Sequence, residues 1–186
     1  MTAVGQDHLL AIYANGDDPW GFRSSAYEQA KFRATADALS RPTYANALEL
    51  GCGNGELARH IAPRCACYTG LDAVESALAA ARRAVPKGRF VQAYLPCDLP
   101  DGQYDLILLS EVLYFLDRAG LVSLGRQIAR RWPEAEIIAV TWLGPSGNPL
   151  EGEAALQTFG DATTPTFTPT LLASSPHYRI DRFGAS

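Results

Sequence analysis

The chain has 186 residues, a formal net charge of −4, 47% hydrophobic and 19% charged residues. That size and balance fit a single globular domain with a sizeable core. No apolar run reaches the roughly 18 residues that cross a bilayer, and no basic block stands ready to meet nucleic-acid phosphates, so membrane and nucleic-acid roles are set aside.

In chain order, His8 to Tyr13 reads as a short helix, and Asn15-Gly16-Asp17-Asp18-Pro19 as a turn. Ser24 or Ser25 caps a second helix, and Glu28 completes a capping-box pattern with Ser25. Tyr27, Phe32, Ala34, Ala38 and Leu39 give that helix an apolar side, and Arg41-Pro42 ends it. Strands are expected at Tyr44–Leu50, Cys65–Leu71, Arg89–Tyr94, Tyr104–Ser110 and Glu136–Trp142. Helices follow the glycines after Leu50 and cover Ser76–Ala84 and Asp117–Trp132. The run Leu106-Ile107-Leu108-Leu109 is that of a strand buried on both faces. Such alternation implies parallel strands with right-handed crossovers. The tail adds a helix at Glu151–Phe159 and an antiparallel pair, Thr166–Ser174 and Tyr178–Phe183. The domain therefore divides into a helical cap over residues 1–41 and a sheet core over 44–186.

The densest signal is Ala47-Leu48-Glu49-Leu50-Gly51-Cys52-Gly53-Asn54-Gly55-Glu56-Leu57. An apolar strand enters glycines at alternate positions, and a helix leaves them. Glycine lets a ligand lie against bare main chain, and a helix start offers unpaired N–H groups. Asp72 closes the next strand, 21 residues after Gly51, near the spacing that puts a carboxylate on a ribose. Glu56 occupies the last glycine position of a dinucleotide fingerprint, which weakens a nicotinamide reading. Cys52, Cys65, Cys67 and Cys97 lack metal-ligand spacing, and no metal is expected.

The pattern Glu49-Leu50-Gly51-Cys52-Gly53-Asn54-Gly55-Glu56-Leu57 resembles the first motif of class I S-adenosylmethionine-dependent methyltransferases. Asp18-Pro19-Trp20-Gly21-Phe22-Arg23 through Lys31, Ser110-Glu111-Val112-Leu113-Tyr114-Phe115-Leu116, and Tyr178-Arg179-Ile180-Asp181 resemble the nodulation protein S family. The resemblance implies a Rossmann-like α/β fold: a seven-stranded, mostly parallel sheet with helices on both faces and an antiparallel last strand. It implies S-adenosylmethionine as cofactor and S-adenosylhomocysteine as product. The acceptor it implies is a small polar amine, such as the deacetylated glucosamine of a chitooligosaccharide. Glu49, Gly51, Gly53 and Gly55 would line the methionine part, Asp72 would take the ribose, and Ser110 and Glu111 would flank the methyl group. Trp20 and Arg23 would sit near the cofactor carboxylate, and Tyr27 towards substrate. Tyr94 stands where many class I enzymes carry an acid at the adenine amino group, with stacking, backbone groups or Asp98 as other ways to hold adenine.

In-line displacement on an activated methyl group asks the protein mainly to position a neutral amine and exclude water. Glu111 or Tyr114 is expected to accept the amine proton. Trp142, at the ligand edge of the sheet, could hold a sugar ring, whereas His60 reads as an exposed helical residue and His177 as remote from the cleft. Tyr27 is weighed as core against substrate contact, and Arg23 as a surface ion-pair member against cofactor contact. The expected protein is a cytoplasmic monomer or dimer. The rival readings are a non-catalytic cofactor-binding protein on the same fold and a nicotinamide oxidoreductase.

Overall fold

The computed structural model describes residues 3–186. Seven strands form one sheet: β1 (Tyr44–Leu50), β2 (Cys65–Asp72), β3 (Arg89–Gln92), β4 (Leu106–Ser110), β5 (Glu136–Trp142), β6 (Phe167–Ser174) and β7 (Tyr178–Ala185). Their order across the sheet is β3-β2-β1-β4-β5-β7-β6. β1 to β5 pair in parallel, and β7 runs antiparallel to both β5 and β6. The expected fold is therefore present. Six α-helices accompany the sheet among the described residues: α1 (Gln6–Ile12), α2 (Ala26–Asp37), α3 (Glu56–Ile61), α4 (Glu75–Ala84), α5 (Arg118–Arg131) and α6 (Gly152–Thr163). None of them is long and apolar enough to cross a membrane.

Residues Leu106 to Leu109 of β4 are fully buried. The pleat sends Ile107 and Leu109 into one core, with Leu48, Leu50, Ile137, Leu121 and Phe159. It sends Leu106 and Leu108 into the other, with Ala47, Ile61, Leu78, Ile138 and Phe32 of α2. Each such side chain contributes roughly 1.5–3 kcal/mol over leaving it in water. This two-faced burial is what the unbroken apolar run of β4 encodes.

Local chemistry sets the helix ends. Ser25 Oγ accepts the Glu28 N–H at 3.2 Å to start α2, and Asp117 caps α5 by accepting from Gly120 N at 2.8 Å. The capping box at α2 is only half made, because the Glu28 carboxylate turns to Lys31 instead. Strand ends differ from expectation where pairing stops: β3 ends at Gln92 rather than Tyr94, and β4 begins at Leu106 rather than Tyr104. The α6 helix runs on to Thr163, past the expected Phe159. A buried acid, Glu136, joins the cap to the sheet by accepting from Ser40 N, Ser40 Oγ and the Tyr44 hydroxyl.

The strand order reverses between β1 and β4, whose C-terminal ends therefore splay their loops apart. Open α/β sheets bind ligands at that point. The glycine loop leaves β1 there, and Ser110-Glu111 leaves β4 there.

Candidate active site

A cavity of about 420 Å³ opens at this switch point. The size is that of a small-molecule site. Its floor is the glycine loop, Gly51 to Asn54. One wall is the end of β2, with Asp72, Ala73 and Val74, and another is the β4 turn from Ser110 to Leu116. The cap closes it with Leu9, Tyr13, Trp20 and Phe22.

Gly51 and Gly53 hold left-handed φ values of 74° and 51°. A Cβ at Gly51 would lie 2.6 Å from Val112, and one at Gly53 would point at the Tyr13 hydroxyl, 3.4 Å away. Gly53 thus leaves main chain bare to the cavity. Gly55 differs from expectation. It does not line the cavity, and a Cβ there would strike the Ala81 backbone of α4 at 2.8 Å. Its role is to let α3 and α4 approach, at φ 81°.

The Asp72 carboxylate accepts Gly53 N–H at 2.8 Å and Val74 N–H at 3.0 Å. Burial holds its carboxyl above the usual range, and those backbone donors pull it back. Glu49 is 1% exposed and accepts the Tyr68 hydroxyl at 2.6 Å. Burial, with the neighbouring Asp72 charge adding to it and the Tyr68 bond opposing it, pushes Glu49 up to about 8.

Glu111 follows β4 at φ 53°, the one left-handed non-glycine among the described residues, with its N–H on Val140 O at 2.8 Å. A side chain in that region is strained unless its surroundings hold it. Its carboxylate accepts from Lys31 Nζ at 2.7 Å. Ser110, Tyr114 and Trp142 also line the cavity. Burial and the Glu111 charge raise the Tyr114 hydroxyl far above the ordinary phenol range, so it stays protonated. Of the two expected proton acceptors, only Glu111 is a carboxyl group, and it is paired with an ammonium.

Trp20 lines the cavity while remaining 44% exposed, stacked on Phe22 and edge-on to Tyr13. Tyr94 lines it as well, and its hydroxyl donates to Val4 O. Asp98 is exposed and off the cavity wall. Arg23 is not in the wall either. Its guanidinium is held by Asp17 at 2.7 Å, with Glu56 at 3.9 Å, because Asp18 turns the loop outward there by accepting Phe22 and Arg23 N–H. Tyr27 is 39% exposed and outside the cavity. It stands edge-on to His177 and Tyr178, while His177 stacks on Trp142 with ring centres 5.8 Å apart. His177 is thus beside the cleft mouth rather than remote, because β7 pairs with β5 and brings the hairpin turn back to Trp142. His60 contacts Gln29 Oε1 and Phe32 of α2 rather than solvent alone.

Sequence reasoning missed Tyr13, Phe22, Asn54 and Lys31. Asn54 left a trace as the polar residue between two glycines, and its Nδ2 donates to Asp18 at 3.0 Å, pinning cap to glycine loop. Tyr13 carried no spacing signal at all.

Five carboxyl side chains line the cavity (Glu28, Glu49, Glu56, Asp72 and Glu111), and no lysine or arginine does among the described residues. Glu49, pushed up to about 8, adds no charge at neutral pH, and the other acids suit a ligand with positive charge and oppose a pyrophosphate.

A model of the nodulation protein S family matches residues 2–126. The chain belongs to the nodulation protein S family. It is 29% identical over 159 residues to nodulation protein S of Sinorhizobium fredii, covering 83% of this chain and 68% of that one. The fold matches the N-methyltransferase of this family from Bradyrhizobium japonicum WM9, solved in complex with S-adenosylhomocysteine, with a TM-score of 0.81 at 19% identity. That match covers 97% of this chain and 98% of the other. A methyltransferase from Pseudomonas syringae, described as putative by its solvers, is 30% identical, with a TM-score of 0.73 over 86% of this chain and 99% of its own. Family, fold and cavity agree on S-adenosylmethionine-dependent methyl transfer.

Proposed function

We propose that this chain N-methylates an amine of a small polar acceptor, a deacetylated amino sugar being the class that its family membership favours. The single observation that carries the reading is the acid-lined cavity at the β1/β4 switch point, closed by aromatic residues of the cap. The residues fit the cofactor. The bare main chain at Gly53 can lie against it, Asp72 has lone pairs free for ribose hydroxyls, and the carboxylate wall suits a sulfonium and an ammonium. Trp20 and Tyr94 offer aromatic faces. When bound, S-adenosylmethionine supplies an activated methyl group. The chain's own residues then orient the acceptor, exclude water through the Tyr13–Trp20–Phe22 cover, and take the amine proton on Glu111. Trp142, Tyr27 and His177 form the aromatic rim where a sugar ring can pack.

The test is calorimetry with S-adenosylhomocysteine and with NADH, followed by a mass screen of amines, alcohols and thiols. Binding of S-adenosylhomocysteine alone, with one methyl mass added to an amine, is the expected result. NADH binding, or transfer only to hydroxyls or thiols, would overturn it.

A further inference from the structure

The α2 helix hides a cation. Lys31 is 1% exposed, and its ammonium lies 2.7 Å from Glu111 Oε2 and 2.8 Å from Glu28 Oε2. Both carboxylates line the cavity. The Glu111 contact is a hydrogen bond from the cap to the turn after β4. The Glu28 contact is an ion pair without hydrogen-bond alignment, which leaves Glu28 Oε2 buried and short of a donor. A buried ammonium is costly unless paired, and here one positive charge faces two negative ones. With both acids ionised, the cluster puts one excess negative charge on the cavity wall.

We propose that Lys31 is a positioning residue for methyl transfer: it clamps the Glu111 carboxylate in its left-handed turn, and the Glu28–Lys31–Glu111 cluster admits the acceptor amine in its protonated form. This rests on the reading that Glu111 faces that amine. The proton step balances. One N–H bond of the ammonium breaks, an O–H bond forms on Glu111, and the lone pair stays on nitrogen for the new N–C bond.

The surroundings of Glu111 agree. Burial raises its carboxyl, Lys31 opposes that by charge and hydrogen bond, and Glu28 adds to the rise. Burial pulls Lys31 down, but Glu111 and Glu28 outweigh it and leave the ammonium above its ordinary value. The other titratable neighbours are Tyr27 on α2 and Tyr114 in the same turn. His177 and Tyr178, at the turn into β7, pack on Tyr27.

The experiment is carboxyl-carbon NMR of the whole chain labelled at glutamate, with the Glu111 signal assigned through Glu111→Gln. Lys31→Met should raise the Glu111 midpoint by about one pH unit or more, a tenfold change in ionised fraction, with S-adenosylhomocysteine affinity unchanged by calorimetry. With glucosamine as probe acceptor, the acid limb of kcat/KM should move with that midpoint, and Lys31→Arg should restore part of it. Glu28→Gln should lower the midpoint, and decides the matter if Lys31→Met does not fold. A Glu111 midpoint that ignores both changes overturns the inference. A midpoint that moves in a protein that never methylates glucosamine supports the hold of Lys31 on Glu111 and sinks the amino-sugar reading instead.

Discussion

The Asp72 carboxylate accepts the amide hydrogen of Gly53 at 2.8 Å. The acid at the end of β2 therefore shapes the glycine loop, besides being the residue we propose for the ribose hydroxyls. Asp72→Ala should weaken S-adenosylhomocysteine binding by about 1.5–3 kcal/mol, the range for charge-assisted hydrogen bonds. It should also lower the melting temperature of the free protein, since two backbone donors lose their acceptor. Calorimetry and melting together check both halves. An unchanged affinity in a folded variant would move the ribose site elsewhere.

Gly53 and Gly55 look alike in the motif but should fail differently. Gly53→Val puts a branched side chain against Tyr13 and should abolish most cofactor binding. Gly55→Ala forces a Cβ into the Ala81 backbone at a left-handed φ and should cost about 1–3 kcal/mol of stability. Denaturant curves and titrations with S-adenosylhomocysteine separate the two effects. Equal losses of affinity per unit of stability would refute the distinction.

Arg23→Ala should do little. Its main partner is Asp17, at 2.7 Å, and the side chain is 42% exposed. Exposed pairs are worth about 0–1 kcal/mol. The melting temperature with and without S-adenosylhomocysteine should shift by the same small amount. A loss seen only with ligand would return Arg23 to the cofactor.

Glu49 gives a pH signature. Its folded carboxyl titrates near 8, above the ordinary 4.5. Between those values the native state holds a proton that the unfolded chain has released, so stability should fall as pH rises through that window. Glu49→Gln keeps an acceptor for Tyr68 and removes the titration. Wild type should therefore lose melting temperature relative to the variant from about pH 5 to pH 8. Parallel curves would show that Glu49 is ionised in the folded protein.

Tyr13, Trp20 and Phe22, ahead of Ser25, face the cavity and cover it, while Tyr13 also packs on Ala73, Val74 and Ala77. Deleting the first 24 residues, which spares the α2 cap, should leave a folded protein with severely reduced turnover. A cut after Lys31 would instead split α2, whose Phe32 belongs to the core. Normal turnover in the shorter deletion would end the cover argument.

The elements and their order were legible in the sequence because they are local. β1 and β5 end at the expected residues, and period-two and helical patterns need only neighbouring residues to be read. That Gly51, Gly53 and Asp72 meet at the strand ends was also legible, since a left-handed turn demands a residue type, not a partner. Three things only the tertiary structure decided. Arg23 turns away because Asp17 and Asp18 capture its loop. Gly55 serves the approach of α4 to its own loop. Lys31, on a helix face that the apolar pattern assigns to hydrophobic residues, is buried because Glu111 waits 80 positions along the chain. Charge pairing across such distances leaves no periodic trace, so it appears only when the sheet brings its strand ends together.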